Sequence, residues 1–246
     1  MDNKKKFCLV GKGISYSLSP KIHRQIYDIL GVNAEYVIED VEECEIPRII
    51  SEYDGLNVTK PYKLTVKKYL DSAVESVNTV IKQYGKAIGL STDGDGFIRA
   101  LKKTGGDVYP HYAVVGSGGA AIAVINALKS IGKAPFVFAR NQASLEEICA
   151  LTSSEKGENF LPQAVIYCAS GGEYLPFDTK NIEYLMDLRY DGNEITLDGV
   201  VSVNGLRMLV SQAVLSAEKF LSLNLGNKRI DEIAEIIYNN LCKQKN

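Results

Sequence analysis

The sequence is poor in the residues that build metal centres and disulfide frameworks. Its 246 residues include five cysteines, two histidines and no tryptophan. The cysteines are odd in number and widely spaced, and none forms a C-x-x-C pair. An ordinary zinc site and a disulfide scaffold are therefore both unsupported. We predict no metal site, and we expect all five thiols to be reduced.

Charge of one sign and long apolar runs are also missing. The 28 Lys and Arg residues nearly balance the 30 Asp and Glu residues, and the net charge is −2. This balance argues against nonspecific binding to a nucleic-acid backbone. No apolar run approaches the ~20 residues that cross a bilayer, and the apolar run before Gly11 is too short for a signal peptide. We therefore expect a cytoplasmic protein without nucleic-acid or membrane partners.

Short β-type runs alternate with helical patterns along most of the chain, which is typical of an α/β protein. The first half predicts strands at 7–10, 36–38, 55–58, 76–82 and 86–91, and helices at 19–30, 45–52 and from Pro61 onward. After residue 105, a βαβ series predicts a parallel sheet covered by helices. Its strands are predicted at 112–115, 136–138, 165–168, 185–186 and 200–203, and its helices within 116–131, at 143–150 and in two segments after Leu206.

A glycine-rich turn follows the strand at 112–115. Gly116, Ser117, Gly118, Gly119, Ala120 and Ala121 satisfy G-x-G-x-x-A and open a predicted helix. In that context the first glycine permits a tight turn, the second admits a pyrophosphate, and the helix N-terminus attracts negative charge. The alternative is a βα turn that binds no ligand. We predict a dinucleotide site.

The next strand indicates which dinucleotide binds. An NAD site usually has an acidic residue about 20 positions after the glycines, whereas here the strand ends with Arg140. A planar guanidinium suits a 2′-phosphate, although an arginine at a strand end can simply be exposed. We predict NADP.

Polar residues that packing does not explain lie in the first half. Ser17 and Ser19 precede a helix and could hold a carboxylate, although Ser19 alone would be an ordinary N-cap. Asn57 and Thr59 lie at the end of a strand, where ligands collect in α/β sheets, and Lys63 follows in the predicted helix.

Two further polar segments stand out. Asn78 interrupts an apolar run that favours a strand. Asp93 and Asp95 lie in a glycine-rich segment that is predicted to be a loop, and they lack the remaining ligands of a calcium loop.

Together, these motifs resemble those of shikimate dehydrogenases, in the same order. The shared motifs are S-x-S-P-x-x-H at 17–23, N-V-T-x-P-x-K at 57–63, V-N-T at 77–79, T-D-G at 92–94, the glycine turn at 116–120 and M-L-V-x-Q at 208–212. They span about 195 of the 246 residues, from 17 to 212. The order of six motifs makes chance a poor explanation.

The resemblance implies roles for individual residues. The implied catalytic pair is Lys63 and Asp93. The implied substrate-binding residues are Ser17, Ser19, Asn57, Thr59, Asn78, Tyr190 and Gln212. The implied cofactor-binding residues are Gly116, Ser117, Gly118, Gly119, Ala120, Arg140 and Met208. Helical spacing alone would place Met208 in the core.

The resemblance also implies the architecture and the reaction. Residues 1–95 with 206–246 would form an α/β substrate domain with a mixed sheet, and residues 96–205 would form a Rossmann-like NADP domain. The C-terminal helices would return to the first domain. The expected enzyme reduces 3-dehydroshikimate to shikimate with NADPH and is a monomer or homodimer. The alternatives are a quinate or aminoshikimate dehydrogenase that could use NAD, a non-catalytic NADP-binding module and another Rossmann-type reductase.

Three departures from the family pattern bear on these roles. Ser91 replaces an asparagine before Thr92-Asp93, and Arg207 replaces a small residue before Met208. The family's Asn-Arg-Thr segment is Ala139-Arg140-Asn141 here, so the NADP prediction depends largely on one arginine.

Overall fold

The structure is a computed structural model that describes residues 4–158, 160–170 and 172–243. Its described residues form two compact units. The first extends to Thr92 and resumes at Leu209, and the second comprises the described residues from Asp93 to Met208. The first unit thus ends three residues before the boundary that the sequence predicts at 95. The second unit ends three residues after the boundary that the sequence predicts at 205.

The first unit is built on a mixed five-stranded sheet. Its strands are β1 (Lys5–Gly11), β2 (Ala34–Asp40), β3 (Gly55–Val58), β4 (Thr79–Gln83) and β5 (Lys86–Leu90). Their order is β2-β1-β3-β4-β5, with parallel pairing of β1 to β2 and β3, and antiparallel pairing from β3 onward. The crossovers contain α1 (Ser19–Leu30) and α2 (Ile46–Glu52), and the C-terminal helix α7 (Gly226–Lys243) contacts α1.

The second unit contains a parallel six-stranded sheet. Its strands are β6 (Tyr112–Val115), β7 (Phe136–Phe138), β8 (Glu155–Lys156), β9 (Ala164–Tyr167), β10 (Tyr184–Asp187) and β11 (Val201–Asn204), in the order β11-β10-β9-β6-β7-β8. Its helices are α3 (Asp93–Lys103), α4 (Gly119–Ser130) and α5 (Gln142–Thr152), while α6 (Leu206–Phe220) begins here and continues into the first unit. The predicted α/β class with one mixed and one parallel sheet is confirmed.

Buried apolar side chains fix both sheets. In the second unit, the central strand β6 is fully buried along its length, as expected for a strand covered on both faces. In the first unit, Cys8, Val10, Leu56 and Val58 pack with Ile49 in one core cluster. Within the described residues, no helix has the length and apolar character needed to span a bilayer.

The predicted helix after Pro61 is wrong. Residues 60–65 form turns, and only Val66–Tyr69 form a single 3₁₀ turn. The carbonyl of Lys63 accepts the N–H of Val77 at 2.8 Å and so is engaged by a distant residue of the chain. Lys63 therefore lies in a turn and not in the first turn of a helix.

The predicted acidic loop after Thr92 is also wrong, because Asp93 and Asp95 form the first turn of α3. Their charge suits the positive end of the helix dipole. Phe97, Ala100 and Leu101 bury the inner face of the helix. The glycines of this segment obscured that spacing in the sequence.

Candidate active site

Ser17 and Ser19 lie on the segment that joins β1 to α1. The Ser17 hydroxyl donates to the Ser19 Oγ at 3.1 Å, and the Ser19 N–H donates to the Ser17 Oγ at 3.2 Å. Ser19 is the first residue of α1 and not its N-cap, which is Leu18. The two hydroxyls are therefore brought together at a helix N-terminus, an arrangement that can bind a carboxylate.

Asp40, which the sequence analysis missed, anchors this segment. Its carboxylate accepts the N–H groups of Gly13 at 2.8 Å and Ile14 at 2.9 Å, and the Ile14 carbonyl accepts the N–H of Ser17 at 3.0 Å. Hydrogen bonds from Ile14 and Gly13 lower the pKa of Asp40 below its usual value. The only sequence signal for this role was the position of Asp40 at the end of a strand.

The side-chain amide of Asn57 is engaged within the protein. Its Oδ1 accepts the Tyr36 hydroxyl at 2.7 Å and the Ser216 hydroxyl at 3.4 Å. Its Nδ2 donates to the Asn78 carbonyl at 3.0 Å and to the Thr79 Oγ1 at 3.2 Å. With its oxygen and both amide hydrogens in use, Asn57 is placed to fix its neighbours.

Asn78, Thr92 and Gln212 form the centre of the same network. The Asn78 Nδ2 donates to the Thr92 Oγ1 at 3.0 Å and to the Gln212 Oε1 at 3.1 Å. The Asn78 Oδ1 accepts the N–H of Thr92 at 2.7 Å and the hydroxyl of Thr79 at 3.0 Å. The side chains of Asn78, Thr79, Thr92 and Gln212 are all buried. Asn78 precedes β4 and is not inside the strand that was predicted at 76–82.

His23 is fully buried and packs against Tyr36, whose hydroxyl donates to Asn57 in this network. Its ring stacks on Tyr36 with the centroids 3.9 Å apart. Burial lowers its pKa to about 3, with a smaller opposing effect of Asn57. His23 is therefore neutral at physiological pH and supports Tyr36 through packing.

Lys63 and Asp93 are each linked to the Asn78 region through the backbone. The Lys63 carbonyl is bonded to Val77, the residue before Asn78. Asp93 directly follows Thr92, whose N–H and hydroxyl both bond to Asn78, and Asp93 is only 4% exposed. Thr59 lies just beyond β3, where its N–H donates to the Val10 carbonyl at 2.9 Å.

In the second unit, the glycine turn has the backbone geometry of an anion site. Gly116 has φ +135°, and a Cβ there would lie 3.0 Å from the Cys168 carbonyl carbon. A Cβ on Gly118 would meet nothing within 4 Å among the described residues. Gly118 is the N-cap of α4, and no described side chain caps that helix. The N–H groups of Gly119 and Ala120 therefore begin a helix whose N-terminus suits a pyrophosphate.

Arg140 follows β7, at the edge of the sheet where Gly116 follows β6. Its Nη2 donates to the Gly172 carbonyl and, at 3.4 Å, to the Tyr167 hydroxyl. The guanidinium lies 5.6 Å from the centroid of the Tyr174 ring. Asn141 then caps α5 by accepting the N–H of Ser144 at 2.9 Å. This set offers a cation at a strand end, as a 2′-phosphate requires.

The two remaining predicted residues lie on different elements. Tyr190 is half-buried in the irregular segment after β10, where the buried carboxylate of Asp187 pairs with Arg189 at 2.6 Å and accepts the N–H of Ile195 at 2.9 Å. Met208 is 7% exposed on α6 and belongs to the apolar core of the second unit.

Among the described residues, no group of His, Cys, Asp and Glu side chains could hold a metal ion.

Comparison with known proteins identifies the family. Residues 9–80 match the family model described as the shikimate dehydrogenase substrate binding domain. A shikimate dehydrogenase (NADP(+)) of Saccharolobus islandicus is 30% identical, and the alignment covers 93% of each chain. A solved chorismate mutase/shikimate 5-dehydrogenase fusion protein from Clostridium acetobutylicum is 29% identical, with a TM-score of 0.83 over 97% of this chain and 98% of the other.

A second solved structure agrees. Shikimate dehydrogenase 1 from Peptoclostridium difficile is 25% identical, with a TM-score of 0.82 over 98% of each chain. The likeness extends over both units and over nearly the whole of each relative. This chain belongs to the shikimate dehydrogenase family.

Proposed function

We propose that the protein is an NADP-dependent oxidoreductase acting on a CH–OH group, which interconverts 3-dehydroshikimate and shikimate in aromatic amino-acid biosynthesis. The observation that carries this proposal is the buried network of Asn57, Asn78, Thr79, Thr92 and Gln212. It orders amide and hydroxyl groups, which suit a polyhydroxylated ring, and it is bonded through the backbone to Lys63 and Asp93. Family membership supports the same reaction.

On the substrate side, Ser17 and Ser19 would bind the carboxylate of the acid through their hydroxyls. Asn78, Gln212, Thr59 and Tyr190 would contact the ring or its hydroxyl groups. Asn57, whose amide is already engaged, would position Asn78 and Thr79.

On the cofactor side, the backbone from Gly116 to Ala120 would hold the pyrophosphate. Arg140 would bind the 2′-phosphate and Met208 would line the nicotinamide pocket. The fit is supported by the open space at Gly118 and by the uncapped start of α4 among the described residues. When bound, NADPH would supply the hydride.

The carbonyl oxygen gains negative charge as the hydride adds to its carbon. The Lys63 ammonium would donate a proton to this oxygen or stabilise its charge, and the Asp93 carboxylate would accept a hydrogen bond from a substrate hydroxyl. In the reverse direction, Lys63 would take the proton from the alcohol. A turn that is tied to Val77 holds the Lys63 backbone for this role.

The test is a turnover assay at the NADPH absorbance band. The wild type is expected to oxidise shikimate with NADP⁺ faster, in kcat/KM, than quinate with either cofactor. Lys63→Ala is expected to lower kcat by about 10²- to 10⁴-fold, the usual cost of losing a general acid. Lys67→Ala, which removes a half-buried lysine paired with Glu75 in the same segment, is the matched control.

The alternatives predict other results. Higher kcat/KM with quinate or an amino analogue would assign the neighbouring substrate, and equal use of NADH would remove the NADP preference. Tight NADPH binding without turnover of any of these acids would indicate a non-catalytic module.

We also propose a monomer or homodimer in the cytoplasm, and light scattering tests the assembly.

A further inference from the structure

The Arg140 guanidinium is held by the segment that follows β9. Its Nη2 donates to the Gly172 carbonyl, and the Tyr167 hydroxyl donates to that same carbonyl at 2.6 Å. The Tyr174 ring lies against the guanidinium, and the Tyr174 hydroxyl approaches the Ala139 carbonyl at 3.4 Å. The buried tyrosine thus contacts the arginine through this shared carbonyl and through the 3.4 Å bond that its hydroxyl accepts from Nη2.

Tyr167 is itself firmly placed. It is the last residue of β9 and is fully buried, and its ring packs in the core cluster of Val115, Phe138 and Leu185. The Arg189 guanidinium lies 5.1 Å from the centroid of its ring, and Arg189 is paired with the buried Asp187. The hydroxyl that faces Gly172 and Arg140 is therefore carried on a fixed ring.

We infer that Tyr167 is a positioning residue for cofactor selection, because its hydroxyl holds the Gly172 carbonyl that Arg140 also binds and accepts a bond from the Arg140 Nη2 at 3.4 Å. The inference rests on the proposed use of NADP. Arginine recognises a phosphate through the planar fork of its guanidinium, so its orientation matters as well as its charge. An arginine held in place before the ligand arrives loses less side-chain entropy on binding. NAD lacks the 2′-phosphate and would not benefit.

The chain contains a matched control for the hydroxyl. Tyr112 is also fully buried, lies in the same sheet on β6, and donates its hydroxyl to a glycine carbonyl, that of Gly106, at 2.6 Å. Tyr112 is the first residue of its strand, whereas Tyr167 is the last of its own. Removing the Tyr112 hydroxyl costs its bond to the Gly106 carbonyl. Removing the Tyr167 hydroxyl costs a bond of the same kind to the Gly172 carbonyl and also the 3.4 Å bond that it accepts from Arg140.

The experiment measures the Kd of NADP⁺ and of NAD⁺ by calorimetry, which needs no turnover. Tyr167→Phe is expected to weaken NADP⁺ binding by about three- to tenfold, because Arg140 loses the groups that orient it, and to change NAD⁺ binding less than twofold. Tyr112→Phe is expected to leave the ratio of the two Kd values at the wild-type level. Tyr174→Leu, which removes the ring beside the guanidinium, is expected to shift the ratio in the same direction as Tyr167→Phe.

A double-mutant cycle with Arg140→Ala shows whether Tyr167 acts through the arginine. In the Arg140→Ala background, Tyr167→Phe is expected to have no further effect on NADP⁺ binding. An unchanged Kd ratio in Tyr167→Phe, or an equal shift in Tyr112→Phe or in the Arg140→Ala background, would overturn the inference alone. A wild type that binds NAD⁺ as tightly as NADP⁺ would overturn the proposed cofactor, and this inference with it.

Discussion

The first unit supplies its candidate ligand groups mainly from side chains, whereas the second supplies them mainly from backbone. In the first, Asn78, Thr92 and Gln212 lie in a buried network whose members fix one another. In the second, the turn at Gly116 and Gly118 leads into a helix that no described side chain caps.

The difference shows two ways of ordering a polar site. A side-chain site has to restrict rotamers, so its groups need partners on several elements, and Ser216 reaches Asn57 from a helix 159 residues away. A backbone site has no rotamers to restrict, and it depends instead on the absence of a Cβ. Single side-chain substitutions should therefore weaken ligand binding by the first unit in small steps, whereas one added methyl group in the glycine turn should abolish or strongly weaken cofactor binding by the second.

The largest effect is expected for Gly116→Ala in the second unit. A residue with a side chain is strained at φ +135°, and the added Cβ would meet the Cys168 carbonyl carbon at 3.0 Å. We expect this backbone strain to cost roughly 2 kcal/mol or more in the free energy of unfolding and to abolish measurable NADPH binding. Urea unfolding and calorimetry check the two effects, and wild-type values for both would show that the turn is not so constrained.

An intermediate effect is expected for Thr79→Val in the first unit. The substitution keeps the shape of the side chain but removes the hydroxyl that joins Asn57 to Asn78. We expect kcat/KM for shikimate to fall about tenfold and stability to fall by about 1–3 kcal/mol, because buried amide groups lose a partner.

Two controls separate this effect from general destabilisation. Thr79→Ser keeps the hydroxyl and is expected to restore most of kcat/KM. Thr152→Val removes another buried threonine hydroxyl, one that donates to the Ile148 carbonyl in the second unit, and should leave kcat/KM for shikimate unchanged. An equal loss in Thr152→Val would assign the effect to stability.

The smallest effect on activity is expected for His23, whose contribution is a pH dependence of stability. Its pKa is about 3 in the folded state because of burial and about 6.5 when unfolded. Above pH 6.5 both states are neutral, and as the pH falls below 6.5 the unfolded state takes up the proton, so stability is lost down to about pH 3.

Proton uptake by His23 in the unfolded state lowers the free energy of unfolding by roughly 2 kcal/mol at pH 5 relative to pH 7.5. His23→Phe, which keeps an aromatic ring against Tyr36, should remove that difference between the free energies of unfolding that urea titrations give at the two pH values. The same pH dependence in wild type and His23→Phe would contradict the assignment.

The sequence predicted regular elements well and the polar network poorly. The bounds of α1, β3, β6 and β7 are those expected, because each is a compact apolar pattern with clear end signals. The helix after Pro61 failed because tertiary bonding of the Lys63 carbonyl replaced the local bond. Tyr36 and Asp40 carry no motif, and their roles arise only when β2 pairs beside β1.

The local sequence singled out most of the site residues, and motif order assigned their roles. No local pattern indicated that the Asn57 amide is engaged by Tyr36 and Thr79, since those bonds join separate strands. Likewise, the Gly172 carbonyl that meets Arg140 lies 32 residues further along the chain.

The contrast of the two units is tested most directly by measuring shikimate and NADP⁺ binding separately in Thr79→Val and Gly118→Ala. Gly118 has φ −88°, which any residue tolerates, and a Cβ there meets no described atom within 4 Å, so the protein should lose only the N-cap preference of glycine over alanine, about 1 kcal/mol. We predict that Gly118→Ala retains wild-type shikimate affinity but binds NADP⁺ about tenfold or more weakly. We predict that Thr79→Val retains wild-type NADP⁺ affinity but binds shikimate more weakly. Wild-type NADP⁺ affinity in Gly118→Ala, or an equal loss of both ligands in each variant, would contradict the account.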